Sequence, residues 1–106
     1  MTPILLHPAA RAEFREAVHY YAAIDPALAL GFESLVSEFE DSISRTPLLY
    51  HARRFNVRRA NLTPRFQEWY IAYILWHEQV VILAFAHGKR RPFYFRKRIG
   101  ESRRMF

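Results

Sequence analysis

Apolar residues in the first half of the chain recur every three or four positions. Ala10, Phe14, Ala17, Val18 and Tyr21 form one set, and Leu28, Phe32, Leu35, Val36, Phe39 and Ile43 a second. That spacing puts each set on one side of an α-helix. Pro8 suits the first helical position, where its missing N–H costs nothing. Asp25-Pro26 ends the first helix near Ile24 and opens the second, because aspartate caps a helix start and proline fits its first turn. The other side of the second helix carries Glu33, Glu38, Glu40 and Asp41, and Pro47 stops it. Two amphipathic helices with so tight a joint predict a helical hairpin. Ahead of them Ile4-Leu5-Leu6 reads as a brief strand.

After Pro47 the period shortens. Arg54 to Ala60 partly alternates, which predicts a strand with Arg54 and Arg58 on one face and Arg53 and Arg59 on the other. Thr63-Pro64 breaks it. Trp69 to Trp76 is rich in aromatic and β-branched residues, as strands are. His77-Glu78-Gln79 is a polar turn without the Asn-Gly signal of the tightest hairpins. Val80 to Ala86 is almost unbroken apolar sequence, expected of a central strand covered on both faces. Pro92 closes the sheet region, Phe93 to Arg98 reads as a short helical or extended tail, and Gly100 to Phe106 has little to pack. The pattern predicts one α+β domain over residues 1–106. Its order is β-α-α-β-β-β, a mainly antiparallel sheet with an N-terminal helical hairpin on one face.

Composition narrows the chemistry. A chain of 106 residues buries one core and has no room for a separate cofactor domain. Three glycines rule out a phosphate-cradling glycine-rich loop, and without cysteine there is neither a disulfide framework nor a thiolate metal site. His7, His19 and His51 have no partners at ligand spacing and His77 falls in an exposed turn, so no metal site and no cofactor are expected. The opening MTPILLHP lacks a charged segment and a long apolar run, and no stretch reaches membrane-spanning length, which predicts a cytoplasmic protein. Charge is the strongest departure from the ordinary. Residues 1–47 hold three basic against seven acidic side chains, a net of −4, whereas residues 48–106 hold thirteen against three, a net of +10. Of the 16 basic residues only Lys89 and Lys97 are lysine. Arginine offers a rigid donor fork matched to phosphate and carboxylate, so this half points to a polyanionic partner.

Three motifs carry a resemblance covering essentially the whole chain. They are the helix pattern Ala12-Glu13-Phe14-Arg15-Glu16-Ala17 with Tyr20-Tyr21; Phe66 and Tyr70-Ile71-Ala72-Tyr73 followed by Val80 to His87; and His87-Gly88-Lys89-Arg90-Arg91-Pro92 with Tyr94 and Arg96 to Arg98 behind it. In this order and at this length they resemble toxins of the RelE/ParE superfamily from bacterial type II toxin–antitoxin modules. The His-x-x-Arg-x-Pro ending is closer to the ParE-like members. The resemblance implies growth inhibition through DNA gyrase and neutralisation by a cognate antitoxin protein. Its alternative is a RelE-type endoribonuclease that cuts mRNA on the ribosome without a metal; a non-toxic nucleic-acid-binding relative is the third reading.

A nuclease needs a proton acceptor for the 2′-hydroxyl, stabilisation of the phosphorane and a proton for the leaving oxygen. Arg90, His87 and Tyr94 are the candidate catalytic residues for that reading: a forked donor, a group titrating near neutrality, and an aromatic positioner. Arg54, Arg58, Lys89, Arg91, Arg96 and Arg98 are the candidates for contact with nucleic acid or with the antitoxin. Trp69, Trp76, Tyr70 and Tyr73 read as sheet packing. The scaffold is expected to gather Arg58, Arg90 and Arg91 into one concave site. A polyanion footprint predicts that binding weakens steeply as salt rises, and a flat dependence in a titration argues against it.

Overall fold

The computed structural model describes residues 1–106. A short strand β1 (Ile4–Leu6) leads into helices α1 (Pro8–Ile24) and α2 (Pro26–Arg45). Strands β2 (Arg58–Asn61), β3 (Trp69–Trp76) and β4 (Gln79–His87) follow, and a helix α3 (Lys97–Met105) closes the chain. The sheet order is β1-β4-β3-β2, with β1 parallel to β4 and the other pairs antiparallel. The α+β class and the helical hairpin are as the hydrophobic pattern predicts.

Local chemistry explains the helix boundaries. His7 caps α1: its ring Nδ1 accepts the Ala9 N–H at 3.0 Å, with Pro8 in the first turn. Asp25 serves both helices, donating its N–H to the Tyr21 carbonyl at 2.9 Å and accepting the Ala27 N–H on Oδ1 at 3.0 Å. One residue thus satisfies orphan groups of two helix ends, which allows the sharp joint.

The hairpin packs Ala10, Ala17, Tyr21, Phe32, Val36 and Ile43 against Ile71, Tyr73, Ile82 and Phe85 on one sheet face. Phe32 is fully buried and its ring meets those of Phe14, Tyr21, Phe66 and Trp69 within 6 Å. The opposite face has its own core, in which Tyr70, Ala72, Val81, Leu83, Ala84 and Ala86 lie under Phe95 and Ile99. Coverage on both faces is why β4 is apolar at nearly every position.

Two expectations need correction. The Arg54–Ala60 segment is not one strand: Arg54–Asn56 is a tight turn closed by Asn56 N–H to Arg53 and Val57 N–H to Arg54 carbonyl bonds, and β2 begins only at Arg58. Phe55 and Asn56 have φ of 63° and 60°, left-handed backbone that no strand accepts. The Phe55 ring, held against Phe93 at 5.5 Å, overrides the local alternation. The C-terminal residues also pack. α3 buries Ile99 and Ser102, and Glu101 accepts a 2.8 Å hydrogen bond from the His7 ring Nε2. At the β3–β4 turn, His77 and Glu78 have φ of 51° and 61°, so both are left-handed in a two-residue hairpin without asparagine or glycine. The His77 ring stacks on Trp76 at 4.1 Å, and both turn residues are exposed.

Deleting Gly100–Phe106 uncovers Ile99 and the β4 face beneath it. The thermal midpoint should fall by on the order of 10 °C, since one kcal/mol shifts a domain of this size by about 4–8 °C. Calorimetry of the shortened chain checks this. The Ser102 hydroxyl is buried without a partner, so Ser102→Ala should leave the midpoint unchanged or raise it.

Candidate functional site

β1 ends at Leu6 while β4 continues to His87, so the later part of β4 has no neighbouring strand on that side. Up to Ile82 the edge is paired with β1: Val80 donates to the Pro3 carbonyl and the Ile82 carbonyl accepts from His7. Leu83 is then an extra residue opposite Ala72 and Tyr73, a bulge that shifts the alternation by one. Beyond it the Leu83 carbonyl and the Phe85 N–H face the gap. Side chains close it. Glu13 of α1 accepts the Phe85 N–H at 3.2 Å, and Arg98 of α3 donates to the Leu83 carbonyl at 3.0 Å.

The same carboxylate organises the basic segment after β4. Arg98 reaches Glu13 through both terminal nitrogens, at 2.8 and 3.1 Å, and the two side chains are only 16% and 12% exposed. The Tyr94 hydroxyl donates to Glu13 Oε2 at 2.7 Å, and Arg90 reaches the same oxygen at 3.3 Å. The Arg90 guanidinium also lies 3.7 Å from the Tyr94 ring centroid. Burial raises the Tyr94 phenol pKa well above its ordinary value, and the bond and charge of Glu13 push it further. His87, half-buried at the strand end, accepts the Lys89 N–H on Nδ1 at 3.1 Å, which leaves the neutral ring's proton on Nε2. Gly88 lies against the Glu68 carbonyl, which would be 3.3 Å from an added Cβ.

The second basic segment reaches this face through aromatic rings. Arg54 and Arg96 lie 4.8 and 4.5 Å from the Phe55 ring centroid, and Phe55 meets Phe93, which also has a left-handed φ of 57°. Arg59 stacks 3.8 Å from the Tyr70 ring centroid while its Nε donates to Asn61 at 2.9 Å. Burial raises the Tyr70 phenol pKa, with a contribution from the Glu13 charge, while the charges of Arg59, Arg53 and Arg90 oppose the rise. The 53–59 and 90–98 segments therefore converge on the sheet face away from the hairpin.

Of the residues expected from sequence, Arg90, Tyr94 and Arg98 meet at Glu13, and Arg54 and Arg96 flank Phe55. His87 stands at the same end of β4, and Lys89 and Arg91 are exposed on the loop after it. Arg58 does not join them. Paired opposite Tyr73, it turns to the hairpin side and donates to the Tyr50 carbonyl, so Arg58, Arg90 and Arg91 do not form one site. Because the strand starts late, Arg59 and Arg53 take the place expected for Arg58. Glu13 and Tyr70 were the other omissions. A lone glutamate in a helical stripe carries no sequence signal of an edge 72 residues away. Arg90 and Arg98 are the only arginines in ion pairs, both with Glu13; the acids of α2 pair with none. Beside this face, a cleft of about 560 Å³ runs between α1 and the ends of β3 and β4, lined by Ala17, Tyr20, Tyr21, Trp69, Phe85 and His87 among others. The structure holds no group of three or more His, Cys, Asp or Glu placed to bind a metal ion.

Glu13→Ala strips the partner from a largely buried arginine and from the Phe85 N–H. Urea unfolding should show a loss of about 3–5 kcal/mol. Tyr73, pushed up to about 12 chiefly by burial, and Tyr94 both hold their protons more tightly folded than unfolded. Stability is therefore whole below about pH 10, the unfolded tyrosine value, and falls as pH rises toward the folded values. Tyr94→Phe should shrink that alkaline loss in a pH series of unfolding curves.

The family model described as the ParE toxin of type II toxin–antitoxin system, parDE, matches residues 4–92. No curated protein matches the chain. None of its helices is long and apolar enough to cross a membrane.

Proposed function

Because the chain belongs to the ParE toxin family of type II toxin–antitoxin systems, we propose that it arrests growth by binding DNA gyrase in the cytoplasm, without hydrolytic chemistry of its own. A toxin of this family implies a cognate antitoxin. The observation that carries the proposal is the use already made of the would-be catalytic groups. The Tyr94 hydroxyl donates its one hydrogen bond to Glu13, whose carboxylate also holds Arg90 and Arg98. Burial and that bond keep the phenol protonated, so it is no base at neutral pH. His87 has one nitrogen committed to the Lys89 N–H. The result is a cationic surface suited to binding, with Tyr94 engaged in structure and one His87 nitrogen already taken.

The antitoxin has two surfaces suited to it. Its acidic side chains complement the arginine face, and apolar ones fit the α1 cleft, where Tyr20 and Ile24 are 62% and 60% exposed. Segments that order on binding bury both kinds of surface. No cofactor has a role in this reading.

Expression without an antitoxin should stop growth, induce the DNA-damage response and leave gyrase covalently joined to broken DNA. Broken mRNA ends with intact DNA would replace this reading by the endoribonuclease one. Unaffected growth would leave a non-toxic nucleic-acid-binding relative.

A further inference from the structure

Tyr70 is buried, with 5% of its surface exposed, yet its hydroxyl makes no hydrogen bond within the protein. The two other buried tyrosines are satisfied, Tyr21 by Glu68 and Tyr73 by the Pro47 carbonyl. A hydroxyl without a protein partner is one that water or a ligand oxygen must satisfy. The Tyr70 oxygen is not sealed inside the core. It opens onto the arginine face, where Arg59 stacks on its ring and Arg53 and Arg90 lie within electrostatic reach.

The surrounding guanidinia are already oriented. Arg59 is fixed by its stack on Tyr70 and by the Nε bond to Asn61, which leaves its two terminal nitrogens free. Arg90 is fixed by the Tyr94 ring and by one nitrogen on Glu13. Fixing the forks in advance removes much of the ordering cost of binding an anion. Glu13 opposes an anion here, but Arg59, Arg53 and Arg90 outnumber it three to one. Two half-buried rings, Phe55 and Phe93, stand further along the same face on left-handed backbone, between Arg54 and Arg96. Alternating arginine forks and aromatic faces suit a chain that itself alternates phosphates and bases.

We propose that the Tyr70 hydroxyl, with Arg59, Arg53 and Arg90 around it, seats a backbone phosphate of single-stranded nucleic acid. The hydroxyl donates to one non-bridging oxygen and the free fork of Arg59 to the other. This deepens the toxin reading, since it rests on that face meeting a target that carries nucleic acid.

The test uses the purified full chain and a short fluorescein-labelled deoxythymidine oligonucleotide. Competitors are the same sequence with neutral methylphosphonate linkages and an oligo-glutamate peptide. Tyr70→Phe removes one oxygen and should weaken oligonucleotide binding about tenfold, the value of a hydrogen bond to a charged group. Its thermal midpoint should stay level or rise, which separates a lost seat from a lost fold. Arg59→Lys keeps the charge and should weaken binding comparably, whereas Arg45→Gln at the end of α2 should not. Wild-type affinity in Tyr70→Phe overturns the seat. So does equal competition by the neutral oligonucleotide, and equal competition by the peptide assigns the face to an acidic protein. Growth arrest is scored separately. Arrest without oligonucleotide binding overturns the seat alone, and a tenfold Tyr70→Phe effect in a chain that arrests nothing upholds the seat and removes the toxin reading.

Discussion

A strand that outruns its neighbour leaves backbone groups without partners, and in this protein the Glu13 carboxylate answers that need. β1 stops at Leu6 because the chain turns into α1 at His7, and β4 continues past it with one edge uncovered. The bulge at Leu83 turns the Phe85 N–H outward, and the first helix delivers Glu13 to receive it. Arg98 completes the closure from the other end of the chain. A largely buried ion pair contributes little net stability against well-packed apolar residues, yet removing one partner is costly. Its value here is positional: one carboxylate joins α1, β4, the loop after β4 and α3, so the basic segment has a defined place.

With Glu13 committed to Arg98 and Arg90, the other arginines have no ion pair. Several instead lie over aromatic rings: Arg59 on Tyr70, Arg54 and Arg96 on Phe55, and Arg103 near Trp76 at 5.3 Å. Such stacks contribute about 0.5–1 kcal/mol each at exposed sites, enough to orient a guanidinium without neutralising it. The face keeps its charge and gains order. That combination serves binding to a polyanion, and it explains why a protein of net charge +6 favours arginine over lysine.

The two sheet faces divide the work. The hairpin face is filled by aromatic and aliphatic side chains around Phe32 and supports the fold. The other face has small residues at Ala72, Ala84 and Ala86, which let Phe95 and Ile99 lie close and bring α3 and its arginines onto the sheet. Because α3 also holds His7 through Glu101, the helix that presents Arg103 and Arg104 is a structural member as well.

The hairpin, its joint at Asp25, the central strand β4 and the arginine-rich second half were all legible in the residue pattern. Each depends on interactions between positions close in sequence or on the burial of a periodic apolar set. What could not be read is how the second half meets the first. Alternation alone made Arg54 and Arg58 neighbours on a strand; the left-handed turn that seats Phe55 against Phe93 exchanged Arg58 for Arg59 and Arg53. Local polarity made Gly100–Phe106 a loose tail, and only the docked helix revealed buried Ile99 and Ser102. The sequence by itself therefore determined the helical hairpin, strands β1, β3 and β4, and the sign of the charge. Tertiary structure alone decided which arginines share a face, because an unpaired strand edge and a packed aromatic ring act between residues that no period connects.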